Sequence, residues 1–303
     1  MNFLWVIFTL LGAAGQTARN AMQRELTPRL GALGATLVRF LFGFPFALVF
    51  LAAALAWTHA ALPAITFGFA LWTLLGAATQ IGGTALMLMT MEQRSFVVTV
   101  AYLKTEPVLV ALMGLLFLGD PLTLAMALAI VVAMAGVALI SVKPEALTGG
   151  MRPAFLGLSS AALFAASAIG YRGAILSLHQ PSFVLAASFS LAAGLTLQTL
   201  LLLAWLLLFK RGTLKAITAL WRPSLAAGFA GAAASEFWFL AFALATAASV
   251  RTLALVEVLF AQGVSRFIFR QRTTTREAAG IVLLLAGAAL IVWTASDSVA
   301  PPR

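Results

Sequence analysis

Apolar runs of about 20 residues, the length that crosses a bilayer core as a helix, recur down this chain from one end to the other. With soft edges they fall at 2–20, 33–57, 64–90, 96–118, 122–142, 153–175, 182–209, 223–245, 248–269 and 275–295. The connections between them are short and polar, such as "RELTPR", "EQRS", "GDPLT" and "KPEALTGGMRP". None is long enough to fold as a soluble domain, so function is expected inside the membrane. Composition agrees: 62% of the 303 residues are hydrophobic and 9% are charged, whereas a soluble domain is about a quarter charged. The expected fold class is an all-α integral membrane protein with ten transmembrane helices.

The same composition removes several function classes. There is no cysteine, hence no disulfide framework and no thiolate chemistry. His59 and His179 are the two histidines and lie far apart, which disfavours a metal site or a Ser-His-Asp arrangement. The net charge of +10 does not point to nucleic acid, because the cations sit in short segments between apolar runs, as topology signals do. Connections 1–2, 3–4, 5–6, 7–8 and 9–10 carry Arg24, Arg29, Arg94, Lys143, Arg152, Lys210, Arg211, Lys215, Arg222, Arg270, Arg272 and Arg276. The opposite side has at most Arg172, Arg251 and Arg303. That bias places both termini outside the cell membrane (the inner membrane of a bacterium). The opening "MNFLWVIFTLLGAAG" lacks a basic start and a small-residue cleavage site, and reads as a retained first span. Trp5, Trp57, Trp205, Trp221 and Trp293 fall near span ends, where an interfacial aromatic belt is expected.

Sliding the sequence by 151 residues brings "AGVALI" at 135–140 onto "AGAALI" at 286–291, Gly136 onto Gly287 and Glu106 onto Glu257. At the front of each half a shift of 153 aligns Arg19 with Arg172 and Pro28 with Pro181. Five spans per half is an odd number, so related halves enter the membrane in opposite directions. The expectation is a 5+5 inverted repeat, 1–150 and 151–303, with a substrate site near midplane between the halves. Arg19 and Arg172, near span ends, read as snorkelling anchors, with gate salt bridges as the alternative.

The stretch "EPVLVALMGLLFLGDPLTLAMALAIVVAMAGVALI" carries a resemblance. Pro107, then Phe117, Leu118, Gly119 and Asp120, then Leu122, Thr123 and Gly136, resemble the drug/metabolite transporter superfamily, EamA-like branch. The second half keeps the glycine pattern but has Arg270, Gln271 and Arg272 where the Gly-acid turn would fall. The resemblance implies a secondary transporter of small metabolites, with export as the direction. Such relatives usually hold both termini in the cytoplasm, so the charge bias here implies a flipped orientation.

Ionisable residues inside spans cost about 2.5–3.5 kcal/mol on insertion scales and normally face a cavity or a partner. Glu106 and Glu257, repeat equivalents near the centres of spans four and nine, are the leading candidates for the substrate site. Tyr102 lies one turn before Glu106 and would share its face, whereas Lys104 would point elsewhere. Gln80 and Thr84 form a second one-turn pair, and Gln16, Glu236 and Trp238 complete the candidate lining. Arg39, Lys104 and Arg266 are candidate counter-charges; pairing with them would turn the glutamates into packing elements. Pro107 can kink span four and free a carbonyl toward a cavity; a proline simply tolerated in a membrane helix is the equal alternative. Carboxylates and aromatic faces suit a small amphipathic solute such as a bulky or aromatic amino acid, with protons as a candidate coupling ion. A drug or lipid translocator on the same scaffold is an alternative, and an intramembrane enzyme a remote one, because paired Asp, Ser-His and zinc motifs are missing. No cofactor, metal or nucleic-acid partner is expected, and the lipid bilayer and a small-molecule substrate are the expected partners.

Overall fold

The computed structural model describes residues 3–93, 96–141, 151–260 and 274–297. Among these the secondary structure is helical throughout. In chain order the helices are α1 (Leu4–Leu41), α2 (Phe44–Thr58), α3 (Phe67–Gln93), α4 (Phe96–Leu103), α5 (Glu106–Met113), α6 (Leu124–Ser141), α7 (Met151–Ser177), α8 (Phe183–Phe209), α9 (Arg211–Ala219), α10 (Trp221–Leu244), α11 (Ala247–Leu253) and α12 (Thr275–Asp297). Seven helical segments are apolar and long enough to cross a membrane. Large apolar side chains such as Phe67, Leu116 and Leu208 stand exposed on the outside, while Arg19, Thr84 and Gln198 are buried. That is the arrangement of a multi-pass helical membrane protein, whose outer surface meets lipid tails.

The first long segment is one continuous helix only in name. Gly31 has φ 67° and ψ 166°, a conformation open essentially to glycine alone, and Pro28 precedes it. The chain reverses there. A straight helix rises 1.5 Å per residue, so Arg19 and Arg39 would be about 30 Å apart on one rod. Instead both side chains lie against Gly231 of α10, and Gln23 Nε2 donates to the Ala35 carbonyl at 3.0 Å. The sequence placed the end of the first span at residue 20. The helix runs ten residues further because nothing in "NAMQRELT" breaks it, and its charged end simply projects, with Arg24, Glu25 and Arg29 exposed. Arg19 is therefore mid-helix and buried, not a snorkelling end residue. Arg172 is likewise buried. Of the expected aromatic belt, Trp57, Trp205, Trp221 and Trp293 are exposed, but Trp5 is buried in the core.

Three helix pairs form the tightest packing: α1 with α10, α3 with α7, and α6 with α12. Small residues permit it, as expected where lipid tails supply no hydrophobic drive between helices. The α6–α12 contact shows how close the backbones come. A Cβ built on Gly136 would lie 2.5 Å from the Leu284 nitrogen and 2.6 Å from the Gly280 oxygen. A Cβ on Gly287 would lie 2.6 Å from the Ala133 nitrogen and 2.8 Å from the Ala129 oxygen. Gly136→Val is therefore expected to cost at least about 1–3 kcal/mol and to lower the thermal midpoint in detergent. Gly68→Ala, where the nearest outside atom is 4.0 Å away, is the matched control and should leave the midpoint within a degree or so.

Candidate functional site

Two interrupted helices build the site. Pro107 lacks an N–H and its ring collides with the carbonyl four residues back, so span four stops at Leu103 and restarts at Glu106. The joint is closed by short i to i+3 bonds, Lys104 N to Ala101 O and Thr105 N to Tyr102 O, both 3.2 Å. In the second half α11 tightens into a 3₁₀ turn over Ala254–Val256 before Glu257. Each glutamate thus opens the second piece of a broken helix. Irregular backbone at membrane depth is tolerated where it lines a cavity or is buried in protein.

Between these breaks and α1 lies a small cavity of about 40 Å³, lined by Gln16, Arg19, Lys104, Glu106, Arg251 and Glu257 together with the apolar Met87, Leu103 and Phe164. It adjoins a smaller one of about 20 Å³, where Gln16, Arg19 and Arg251 recur beside Arg39, Gln80, Tyr171 and Trp238. Lys104 Nζ is paired with Glu257 Oε1. Arg251 Nε lies 3.0 Å from Glu106 Oε1, but without hydrogen-bond alignment, since both atoms lack a hydrogen-bonding partner in the protein. The Arg251 guanidinium stacks 4.4 Å from the Trp238 ring centroid, a cation–π contact strengthened by burial. Nearby, Gln198 Nε2 donates to Gln80 Oε1 at 2.7 Å.

Of the residues singled out from sequence, Gln16, Gln80, Glu106, Trp238 and Glu257 are brought together around this space, with Lys104 and Arg39 among them. Lys104 does not point elsewhere. The break at 104–105 removes the helical register that the angle between Lys104 and Glu106 assumed. For the same reason Tyr102 does not share the face of Glu106: its ring packs over Gly157 of α7. Thr84 is buried behind the cavity, accepting a 3.0 Å hydrogen bond from Arg39 Nη1. Glu236 is in neither lining; Ser188 Oγ donates to its Oε1 at 2.5 Å. Arg266 lies outside the described residues. Arg19 and Arg251 were missed as cavity residues. Arg19 was hidden by the false helix end. Arg251 had been counted as a loop cation, although it stands in an apolar run as isolated as that around Lys104.

Away from the cavity, Arg172 grips Asp120 through two contacts of 3.2 Å and donates from Nη1 to the Phe242 carbonyl at 2.6 Å and to that of Ala245. One guanidinium thereby ties the Gly119-Asp120 turn to the C-terminal end of α10. Gly119 itself has φ 66°, which suits that glycine position.

No family model matches this chain, and no curated protein matches it. Among solved structures, a chain described only as "Crystal structure of protein" is similar over 97% of this chain and 99% of its own length, with a TM-score of 0.65 and 16% sequence identity. At that identity the likeness concerns the fold alone.

Removing one partner of a buried ion pair leaves the other charge uncompensated and costs about 3–5 kcal/mol, while removing both often costs little. Lys104→Met should therefore destabilise the protein strongly. Adding Glu257→Gln to it should recover most of the loss. A double-mutant cycle by thermal or denaturant unfolding measures this, and additive losses would show that the pair is not coupled.

Proposed function

We propose that the protein is a ten-span secondary transporter of the drug/metabolite transporter type, carrying a small amphipathic metabolite by alternating access. An amino acid, bulky or aromatic, is the best single candidate, and export is the direction the family resemblance implies. The observation that carries the reading is the charged cavity between two helices broken at equivalent positions. Residues 104–105 and 255–256 correspond under the 151-residue shift, and so do Glu106 and Glu257. Discontinuous helices flanking a central polar site are a recurring construction in secondary transporters.

The packing supports a 5+5 reading of residues 1–150 and 151–303. Under the 151 shift Gly136 becomes Gly287, Gly280 becomes Ala129 and Leu284 becomes Ala133, and the close contacts exchange in step. The α1–α10 pair and the α3–α7 pair exchange in the same way. The reversal at Gly31 makes two crossings of the first 55-residue segment, α6 adds one, and the apolar run 248–269, of which 248–260 lie among the described residues, is the remaining candidate needed for ten. Lys and Arg bias favours an inner-membrane orientation with both termini outside. Protons are the candidate coupling ion, and intramembrane carboxylates are common carriers in such relays.

Purified protein in proteoliposomes is expected to give saturable flux of labelled phenylalanine. Glu106→Gln and Glu257→Gln should each lower that flux about ten- to a hundredfold, the worth of one charged hydrogen bond. Flux unchanged in both variants would sink the site assignment. Orientation is separately testable, because the chain has no cysteine background. Single cysteines introduced within 143–152 are expected to react with impermeant maleimide only from the cytoplasmic side, and labelling of intact cells from outside would reverse the proposed topology.

A further inference from the structure

The cavity carries more cations than its carboxylates can answer. Arg19, Arg39, Lys104 and Arg251 line it against Glu106 and Glu257, an excess of two positive charges. Other acids of the bundle are already engaged: Asp120 by Arg172 and Glu236 by the Ser188 hydroxyl. Glu106 and Glu257 face Arg251 and Lys104. Among the described residues no carboxylate forms an ion pair with Arg19 or Arg39, although each is only 2% exposed and the acid acting on Arg19, Glu257, is already paired with Lys104.

These two side chains are neighbours. The reversal at Gly31 brings them to the same glycine of α10, where a Cβ on Gly231 would lie 3.1 Å from Arg39 Cγ and 3.3 Å from Arg19 Cδ. A guanidinium has five N–H donors and cannot be deprotonated in proteins. Arg19 spends Nε and Nη2 on one oxygen of Asn20, at 3.2 and 2.8 Å, and its Nη1 has no protein partner. Arg39 donates from Nη1 to Thr84, and its Nε has none. Like charges held side by side out of water are costly unless an anion completes them. The guanidinium fork is also the group that best fits carboxylate and phosphate oxygens.

We infer that Arg19 and Arg39 form an oxyanion-binding site, which takes the head group of a solute whose apolar body lies against Trp238, Phe164 and Phe239. The assignment of this anion as transported cargo rests on the transporter reading above; the binding itself does not. It refines the substrate class expected from sequence. A simple amine would add a third unanswered charge, whereas an organic carboxylate, an organic phosphate or a zwitterion answers one already present. A zwitterion would also bring an ammonium within the reach of Glu106 or Glu257.

Thermal unfolding of the full chain in detergent tests this with three probes at millimolar concentration: 3-phenylpropionate, phenyl phosphate and phenethylamine. Either anion is expected to raise the midpoint by about 5 °C near saturation, and the stronger of the two identifies carboxylate or phosphate as the preferred head group. Phenethylamine should give no comparable shift. Arg39→Gln and Arg19→Gln should abolish the anion shift while leaving the unliganded midpoint equal or higher, and Arg39→Lys should retain part of it. An equal shift from the amine, anion shifts that survive both Gln variants, or no shift from either anion overturns the site. So does an unliganded midpoint that falls in the Gln and Lys variants alike, which would make the arginines structural. Proteoliposome flux keeps the two readings apart. Arg39-dependent binding without flux removes the transporter and keeps the site; saturable phenethylamine flux indifferent to Arg39→Gln keeps the transporter and removes the site.

Discussion

In the hydrocarbon core an unanswered charge or an unbonded amide has no water to fall back on, and the interior of this protein is organised around that constraint. Lys104 and Glu106 sit two residues apart in a broken segment of one helix, Arg251 and Glu257 six apart in another. Neither segment settles its own charges. Lys104 reaches Glu257 and Arg251 reaches Glu106, so each ion pair joins the two segments. The breaks make the crossing possible, because an unbroken span four would direct Lys104 and Glu106 to nearly opposite faces.

The glutamates occupy corresponding positions in the two halves of the sequence, but the cations do not. Under the 151 shift Lys104 meets Leu255, and Arg251 meets Val100. Symmetric acids are thus held by asymmetric bases. Packing is more conservative of the correspondence than charge is: Gly136 and Gly287 approach reciprocal backbone sites on α12 and α6. A Cβ added at either glycine would come within 3 Å of the partner backbone, so neither position accepts a side chain, whereas a cation can be supplied to a cavity from several directions.

That difference explains what the sequence made legible. Helix placement follows from apolar run length, and α3, α6, α7, α8, α10 and α12 fall within a few residues of their expected spans. The broken span four was legible from Pro107. What failed was side-chain direction next to a break. The places of Tyr102 and Lys104 were read from a continuous wheel, and one displaced turn voids it. The extent of α1 failed differently: hydropathy marks where lipid ends, not where a helix ends. Nothing before Gly31 stops the chain from staying helical, so Arg19 looked like a terminus residue while sitting mid-helix. Arg251 was readable in principle from its isolation among apolar neighbours, but a count of loop cations absorbed it.

Trp238 shows how an uncharged residue can set the electrostatics of such a cavity. Its indole lies over Gly12, where an added Cβ would come within 3.1 Å of the ring. The ring also stacks on Phe242 with centroids 6.3 Å apart and meets the Arg251 guanidinium, which stands 5.5 Å from the Phe242 ring centroid. Held by aromatic surfaces, Arg251 meets Glu106 by position rather than by an aligned hydrogen bond, and Nε and Oε1 are both buried without a hydrogen-bond partner. A pair fixed in that way neutralises charge without exhausting its donors and acceptors. The same holds for Arg19 and Arg39, whose free N–H groups border the adjoining space. The walls of the cavity therefore keep unspent hydrogen-bonding capacity of both signs, with the positive in excess.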